Sequence, residues 1–356
     1  MNEHQKFLSL ALKLARKARP SPNPRVGAVI VRNGQVIGEG YHKEYGDDHA
    51  EIVAIKSVKN KDDLKASTLY VTLEPCSYYN KTPPCTDAII DSGISEVIIG
   101  CRDQNPNVDG VSKLEKEGIK ITVLDDEECK RINEAFFHWI KTKEPFILLK
   151  LAMTLDGRIA TKSGDSKYIS NAQSRALSNA WRSEYDAIMV GINTILVDNP
   201  RLTSRKAGSD NPIRIIVDSY LKAPIGYNWI ETNARRIIAT SEKHDKEKRK
   251  KLEAEGVEII VLPQTSEGHV DLAILFKKLG EMGITSILVE GGSEVATNIL
   301  EAGLISKIAF FISCQILGNG INVFEGKGIE KMKEAWRLKN ISIKQIQDDV
   351  LIEGYF

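Results

Sequence analysis

His49-Ala50-Glu51, then Glu74-Pro75-Cys76, then Pro84-Cys85 place one imidazole, two thiols and a spare carboxylate within fewer than forty residues. Imidazole nitrogen and thiolate sulfur are the ligands zinc takes in a tetrahedral site. A catalytic site uses three of them and keeps the fourth position for water. Three ligands fit that requirement, and zinc lowers the pKa of the water it binds to about 7. Breaking a C–N bond by hydrolysis also needs a proton carrier, because the amine leaves as ammonia. Glu51 lies two residues from His49, and residues so spaced do not sit side by side on a helix. Glu51 therefore reads as the general acid/base rather than a fourth ligand. The chemistry such a set suits is removal of an amino group from a nucleobase-like ring, a reaction in which the Glu is not a ligand.

The bland alternative is a structural zinc knuckle or a pair of buried free cysteines. Against it, the ligands lie at the starts of two helix-like segments, Glu51 to Val58 and Thr86 to Ser92. There the helix dipole favours thiolate over thiol. The usual Pro-Cys-x-x-Cys spacing of such sites is stretched here, with eight residues between Cys76 and Cys85. A loop has been inserted between the two sulfurs.

The 356 residues are enough for two domains with substantial cores. The 49 Lys+Arg and 48 Asp+Glu nearly cancel, so no electrostatic footprint for nucleic acid or an anionic membrane is expected. The predicted substrate is a small molecule. The start, Met1-Asn2-Glu3-His4, has no signal-like character, and no apolar run approaches a membrane span. The expectation is a soluble, cytoplasmic protein. Five cysteines in a chain this long make no disulfide framework, and Cys101, Cys129 and Cys314 read as free, buried thiols.

The first half alternates short β-like runs with helical patterns. A helix is predicted over Phe7 to Arg19, stopped by Pro20, Pro22 and Pro24. Strands over Val26 to Val31 and Gln35 to Tyr41 flank Arg32-Asn33-Gly34, a hairpin signal. Further strands are expected over Thr68 to Leu73, Glu96 to Gly100 and Ile119 to Leu124, and a helix over Glu127 to Ile140. This reads as a three-layer α/β domain. The charged, proline-ended Lys141 to Pro145 marks a break, giving domains 1–144 and 145–356. The second half carries β-like runs at Phe146 to Thr154, Ala187 to Val190, Ile213 to Val217, Arg236 to Ala239, Val257 to Leu262, Ser286 to Val289 and Lys307 to Ile312. It closes with Ser342 to Ile346 and Val350 to Phe356. Lys243 to Lys251 reads as a solvated helix face.

Three strings in that half stand out: Lys150 to Arg158, Gly191 to Thr203, and Val289-Glu290-Gly291-Gly292-Ser293. Singly each is weak. Two glycines between a strand and a helix can offer backbone amides to a phosphate. There is no Gly-x-Gly-x-x-Gly fingerprint, so a standard Rossmann domain is not indicated.

The His-x-Glu and Pro-Cys elements with the long loop resemble the deaminase half of the bifunctional riboflavin biosynthesis family, and the three later strings are similar to its reductase half. The resemblance covers nearly the whole chain. It implies an N-terminal cytidine-deaminase-like three-layer α/β/α domain and a C-terminal dihydrofolate-reductase-like α/β domain. It implies one zinc ion per chain, NADPH as reductant, a pyrimidine ribotide as substrate and a homodimer or homotetramer. In the deaminase half it assigns Asn23, His42, Lys81, Asp103 and Asn105 to the base or ribose phosphate. Asn23 alone would be a turn residue and His42 alone a surface residue. In the reductase half it assigns Ala152, Tyr168, Thr194, Asp198, Ser219, Gly291, Gly292, Ser293 and Asn298 to the cofactor. Ser166, Arg182, Leu202, Arg205 and Glu290 go to the substrate. Arg182 or Arg205 standing alone would read as a surface salt bridge. Lys150 is a further candidate near the reacting carbon, or a strand lysine paired with a carboxylate. Three positions depart from the family pattern: Tyr78 where His is frequent, Tyr168 where Trp is frequent, and Asp109-Gly110-Val111-Ser112, which lacks a second glycine.

Overall fold

The computed structural model describes residues 2–79, 83–205, 210–230 and 233–356. The chain divides into two compact units, Met1–Lys143 and Glu144–Phe356.

In the first unit the order is α1 (Glu3–Ala15), β1 (Gly27–Arg32), β2 (Gln35–Tyr41), α2 (Ala50–Ser57), β3 (Thr68–Leu73), α3 (Cys85–Ser92), β4 (Glu96–Cys101), α4 (Gly110–Lys116), β5 (Lys120–Val123), α5 (Glu127–Ile132) and α6 (Glu134–Thr142). The sheet runs β2-β1-β3-β4-β5. β1 pairs antiparallel with β2 and β3, and β3, β4 and β5 are parallel. Strand side chains alternate between faces. Ala28, Ile30, Leu69, Val71, Val97 and Ile99 therefore pack with Ala50 and Ala54 of α2, Ile89 of α3 and Leu114 of α4. Val29, Val31, Tyr70 and Ile98 face Phe7, Ala11 and Leu14 of α1. Each fully buried Ile or Leu contributes roughly 1.5–3 kcal/mol.

The hairpin signal forms as read, with Asn33 and Gly34 both at positive φ, 50° and 73°. Cys101 and Cys129 are buried as expected, whereas Cys314 is exposed, one residue past the last strand residue Ser313. Two helices also differ from expectation. α1 starts before Phe7 because Asn2 and Gln5 form a capping box, and it ends at Ala15 rather than Arg19. The single helix expected over Glu127 to Ile140 is two, broken at Asn133. That buried side chain is committed to Arg25, accepting from its N–H at 2.8 Å and donating to its carbonyl at 3.1 Å. Asn133 thereby anchors the proline-rich segment that holds Asn23.

Helix α2 lies so close to β2 that a Cβ on Gly40 would stand 2.3 Å from the Ala50 carbonyl oxygen. Gly40→Ala is expected to push out the start of α2, where His49 sits, at a cost of about 1–3 kcal/mol. Thermal melting together with bound-zinc assay checks it: both should fall.

The second unit contains β6 (Phe146–Thr154), β7 (Arg158–Ala160), α7 (Ala172–Trp181), β8 (Ala187–Gly191), α8 (Ile192–Asp198), β9 (Ile213–Val217), β10 (Arg236–Ser241), α9 (Lys246–Ala254), β11 (Glu258–Leu262), α10 (Leu272–Glu281), β12 (Ser286–Val289), α11 (Ser293–Glu301), β13 (Lys307–Ser313), β14 (Ile321–Asn322), β15 (Lys339–Ile346) and β16 (Asp349–Tyr355). Its main sheet runs β11-β10-β9-β8-β12-β6-β13-β16-β15. The first seven are parallel, and β16 and β15 add antiparallel at the end. Ile147, Leu149, Ile287 and Val289 pack against α10 and α11, while Leu148, Leu288 and Phe311 face Leu177 and Trp181 of α7. The lysine-rich segment enters α9, whose N-cap is Asp245. Among the described residues no helix is long and apolar enough to cross a membrane.

Candidate functional sites

In the first unit the sulfur and imidazole ligands converge at two helix starts and one strand end. His49 is the N-cap of α2 and makes no capping bond with its ring. Cys85 is the first residue of α3, and Cys76 follows the carboxyl end of β3. His49 Nδ1 lies 3.2 Å from Cys85 Sγ and 3.5 Å from Cys76 Sγ, and all three donor atoms fall within 4.8 Å of one another. Tetrahedral zinc with bonds of about 2.0–2.3 Å separates its ligands by about 3.6 Å, so the donor set fits. Hydrogen bonds from Cys85, then His49, hold the Cys76 thiol down to about 4. The hydrogen bond with Cys76 is the main cause raising His49 to about 9. The hydrogen bond to Cys76, then burial, pushes the Cys85 thiol upward, and a divalent cation bound by both sulfurs would favour the thiolate form.

Glu51 is buried, 3% exposed, one residue into α2. Burial raises its carboxyl to about 7, against the pull of His49, close to the value that suits a proton carrier at neutral pH. His42 is also buried rather than on the surface. Its Nδ1 bonds the Asp48 carbonyl at 3.1 Å and its Nε2 meets Asn23 Nδ2 at 3.0 Å. With Nδ1 donating to the carbonyl, Nε2 accepts from the Asn23 amide, so His42 fixes the orientation of Asn23. Asp103 and Asn105 sit together on the loop between β4 and α4. The Asn105 N–H donates to Asp103 Oδ1 at 2.8 Å, and Asn105 Nδ2 donates to Tyr78 Oη at 3.1 Å. The phenol that replaces the frequent His is thus tied to this loop. Burial raises the Asp103 carboxyl to about 6. Lys81 lies outside the described residues.

In the second unit Glu290 follows the carboxyl end of β12, the side of an open α/β sheet where ligands bind. Arg182 grips Glu290 with two parallel bonds, Nε to Oε1 at 2.9 Å and Nη2 to Oε2 at 2.7 Å. The pair is only 15% and 13% exposed, so Arg182 is not a surface salt bridge. Burial opposes ionisation of Glu290, but Arg182 and then Lys150 outweigh it and hold the carboxyl low. Lys150 points into the same region from the middle of β6, its Nζ 5.7 Å from the Phe311 ring centre. Burial lowers its pKa, with Glu290 partly offsetting.

The remaining positions are dispersed. Gly291, Gly292 and Ser293 connect β12 to α11. A Cβ on Gly291 would come within 2.9 Å of Val295 Cβ, which explains the glycine there. Asn298 lies partly buried farther along α11. Ala152 is near the end of β6, Thr194 lies in the first turn of α8 and Asp198 is its exposed last residue. Ser219 follows β9, with its Oγ accepting from Val270 N–H at 3.1 Å and its carbonyl from Ser241 Oγ at 2.6 Å. The Leu202 side chain belongs to the core around Trp229, which leaves its backbone for any ligand. Ser166 and Arg205 are exposed, and among the described residues neither bonds the Arg182–Glu290 pair. Tyr168 is 69% exposed with the Arg175 guanidinium 4.3 Å over its ring, a partner the sequence did not suggest. Glu74 was also missed as a site residue. Its signal is a carboxylate closing an apolar strand just before Pro-Cys, and it is buried with backbone amides on both oxygens.

Comparison with known proteins agrees across both units. Residues 1–101 match the cytidine and deoxycytidylate deaminase zinc-binding region, and residues 145–352 match the RibD C-terminal domain. The riboflavin biosynthesis protein RibD of Actinobacillus pleuropneumoniae is 40% identical over 98% of this chain and 94% of its own length. That of Aquifex aeolicus is 38% identical over 97% and 96%. The crystal structure of a diaminohydroxyphosphoribosylaminopyrimidine deaminase/5-amino-6-(5-phosphoribosylamino)uracil reductase from Thermotoga maritima superposes with a TM-score of 0.87 at 37% identity, covering 99% of this chain and 98% of that one. With a three-ligand zinc set in one unit and a reductase fold in the other, the chain belongs to the RibD family of bifunctional riboflavin biosynthesis proteins, zinc-dependent deaminase and NADPH-dependent reductase in one polypeptide.

Proposed function

We propose that the chain deaminates 2,5-diamino-6-ribosylamino-4(3H)-pyrimidinone 5′-phosphate and then reduces the ribosyl group to ribityl, giving 5-amino-6-ribitylaminouracil 5′-phosphate. The observation that carries the first step is the trio of ligand atoms within 4.8 Å beside the buried Glu51. His49, Cys76 and Cys85 hold the zinc. Zinc, when bound, polarises a water and makes it nucleophilic at neutral pH. Glu51 would accept a proton from the attacking water and pass it to the ring nitrogen beside C2, then carry the remaining hydroxyl proton to the amino group. The C2–N bond breaks and ammonia leaves, with a carbonyl in its place. Asn23, oriented by His42, and the Asp103–Asn105 loop hold the base and ribose, and Lys81 supplies positive charge for the phosphate.

In the second unit the sugar opens at its ring oxygen and C1′ is reduced. NADPH, when bound, supplies the hydride from C4 of its nicotinamide. The protein's part is placement, and bringing reacting atoms together in the right geometry is worth several kcal/mol of barrier. Ala152, Tyr168, Thr194, Asp198, Ser219, the Gly291–Ser293 loop and Asn298 hold the cofactor. Arg182, Arg205, Ser166 and the Leu202 backbone hold the sugar and phosphate. Lys150, whose pKa burial lowers, would supply the proton that the opening sugar takes up, and Glu290 keeps Lys150 and Arg182 in register. The enzyme works in the cytoplasm as a homodimer or homotetramer, with no nucleic-acid or membrane partner.

The order of steps is testable by offering the protein either ribotide with NADPH. Only the deaminated one should oxidise NADPH in the presence of a zinc chelator. Oxidation with the undeaminated ribotide under chelation would reverse the order. The same chelation, or Cys85→Ser, is expected to remove ammonia release to below about 1% of wild type, since loss of the bound metal removes the activated water, while NADPH oxidation of the deaminated ribotide continues. An ammonia electrode and absorbance at the NADPH band read both.

A further inference from the structure

The stretch Thr72-Leu73-Glu74-Pro75-Cys76 ends an apolar strand with a carboxylate two residues before a zinc ligand. Glu74 is 5% exposed. A buried carboxylate is costly unless hydrogen bonds satisfy it, and the donors here come from one place. Glu74 Oε1 accepts from the Val111 N–H at 3.0 Å and Oε2 from the Asp103 N–H at 3.3 Å. The half-exposed Arg102 guanidinium stands 3.8 Å from Oε1. Val111 N–H is one of the orphan donors in the first turn of α4, and the N-cap Asp109 makes no side-chain cap. Glu74 therefore supplies that cap from the neighbouring strand. Its backbone N–H bonds the Cys101 carbonyl at 3.0 Å, extending the pairing of β3 with β4.

Two more contacts lie on the same seam. A Cβ on Gly110 would stand 2.1 Å from the Pro75 carbonyl oxygen, so the loop sits directly on the backbone that precedes Cys76. On the other side of Cys76, Ser77 Oγ accepts from the Asp109 N–H at 2.8 Å. Residues 74, 75 and 77 thus hold both ends of the loop 102–109, which bears Asp103 and Asn105, together with the first turn of α4.

We propose that Glu74 is a positioning residue of the deaminase site: through its bonds to the Asp103 and Val111 N–H groups it fixes the substrate-contacting loop against the strand that delivers Cys76. This rests on the deaminase reading above. Glu74 touches neither the reacting atoms nor the metal. It sets the distance between the wall that reads the base and the ligand set.

Glu74→Gln keeps size and shape but leaves one acceptor oxygen for two N–H donors, so one anchor must break. The expected result is a rise in KM for the diaminopyrimidinone ribotide of about tenfold, the size that follows from losing about one hydrogen bond between the displaced loop and the base. Turnover at saturation, zinc content and NADPH oxidation of the deaminated ribotide should stay near wild type. Gly110→Ala shifts the same loop without touching a polar group and should raise KM in the same direction; it carries the test if Glu74→Gln does not fold. Ile30→Val, a core change in the same unit, serves as the control for lost stability and should leave KM unchanged. A lowered melting temperature with unchanged KM in both loop variants would overturn the proposal. Loss of zinc from Glu74→Gln would also overturn it, because the residue would then act on the ligands. If the wild-type protein releases no ammonia from the ribotide, the deaminase reading fails instead.

Discussion

Glu51→Gln is expected to lower ammonia release by about 10²–10⁴-fold, the range general acid/base groups supply, with zinc still bound and NADPH oxidation of the deaminated ribotide unchanged. The carboxyl is buried and held up to about 7 by desolvation, and it lies beside Cys85 and one residue into α2. Glutamine fills the same volume and keeps a hydrogen-bonding oxygen, so packing is not the variable. It can neither accept nor return a proton. The loss should therefore fall on turnover, with KM little changed. Zinc assay and steady-state kinetics on the purified variant decide it: zinc loss would make Glu51 a ligand, and retained turnover would remove it from the chemistry.

Glu290→Ala is expected to reduce NADPH oxidation by about 10²-fold or more while ammonia release is unaffected. The carboxylate is gripped by Arg182 through two bonds of 2.9 and 2.7 Å and also faces Lys150. Removing it leaves two cations confronting each other in a little-exposed pocket. Breaking one partner of a buried pair costs about 3–5 kcal/mol, and the slight exposure here puts the effect toward the lower figure. Arg182 and Lys150 would move apart, and misplacement by about 1 Å is enough for a loss of that size. Glu290→Gln, which keeps one acceptor for Arg182, should be milder in both stability and rate. Equal activity of Glu290→Ala and wild type would show that the fork has no part in the reduction.

The zinc constellation was legible because its chemistry is local. Ligand types, their order and the spare Glu51 are all written in two short strings, and β3 ends where the run Thr68 to Leu73 ends. The same holds for the Asn33-Gly34 turn, where the residue types dictate the backbone. What could not be read is what depends on partners distant in sequence. Asn133 interrupts a good helical pattern because it bonds Arg25, 108 residues away. His42 looks like a strand-end surface residue until Asn23 and Asp48 enclose it. Arg182 and Glu290 are separated by 108 positions, and Arg182 by itself reads as a surface salt bridge. The Leu202 side chain completes a core drawn from β8, α8, β9, β10, α9 and the segment from Leu221 to Ile230, so only its backbone is left for the substrate, and the residue type does not show this. Spacing within a segment carries element type, and pairing across the fold carries the sites' fine geometry.

The most direct test gives purified, zinc-loaded protein the diaminopyrimidinone ribotide with NADPH and follows ammonia and NADPH in one sample. Two catalytic units acting in sequence predict ammonia release first, then NADPH oxidation approaching one equivalent per ammonia. NADPH oxidation without ammonia, or neither signal with zinc bound, would contradict the assignment.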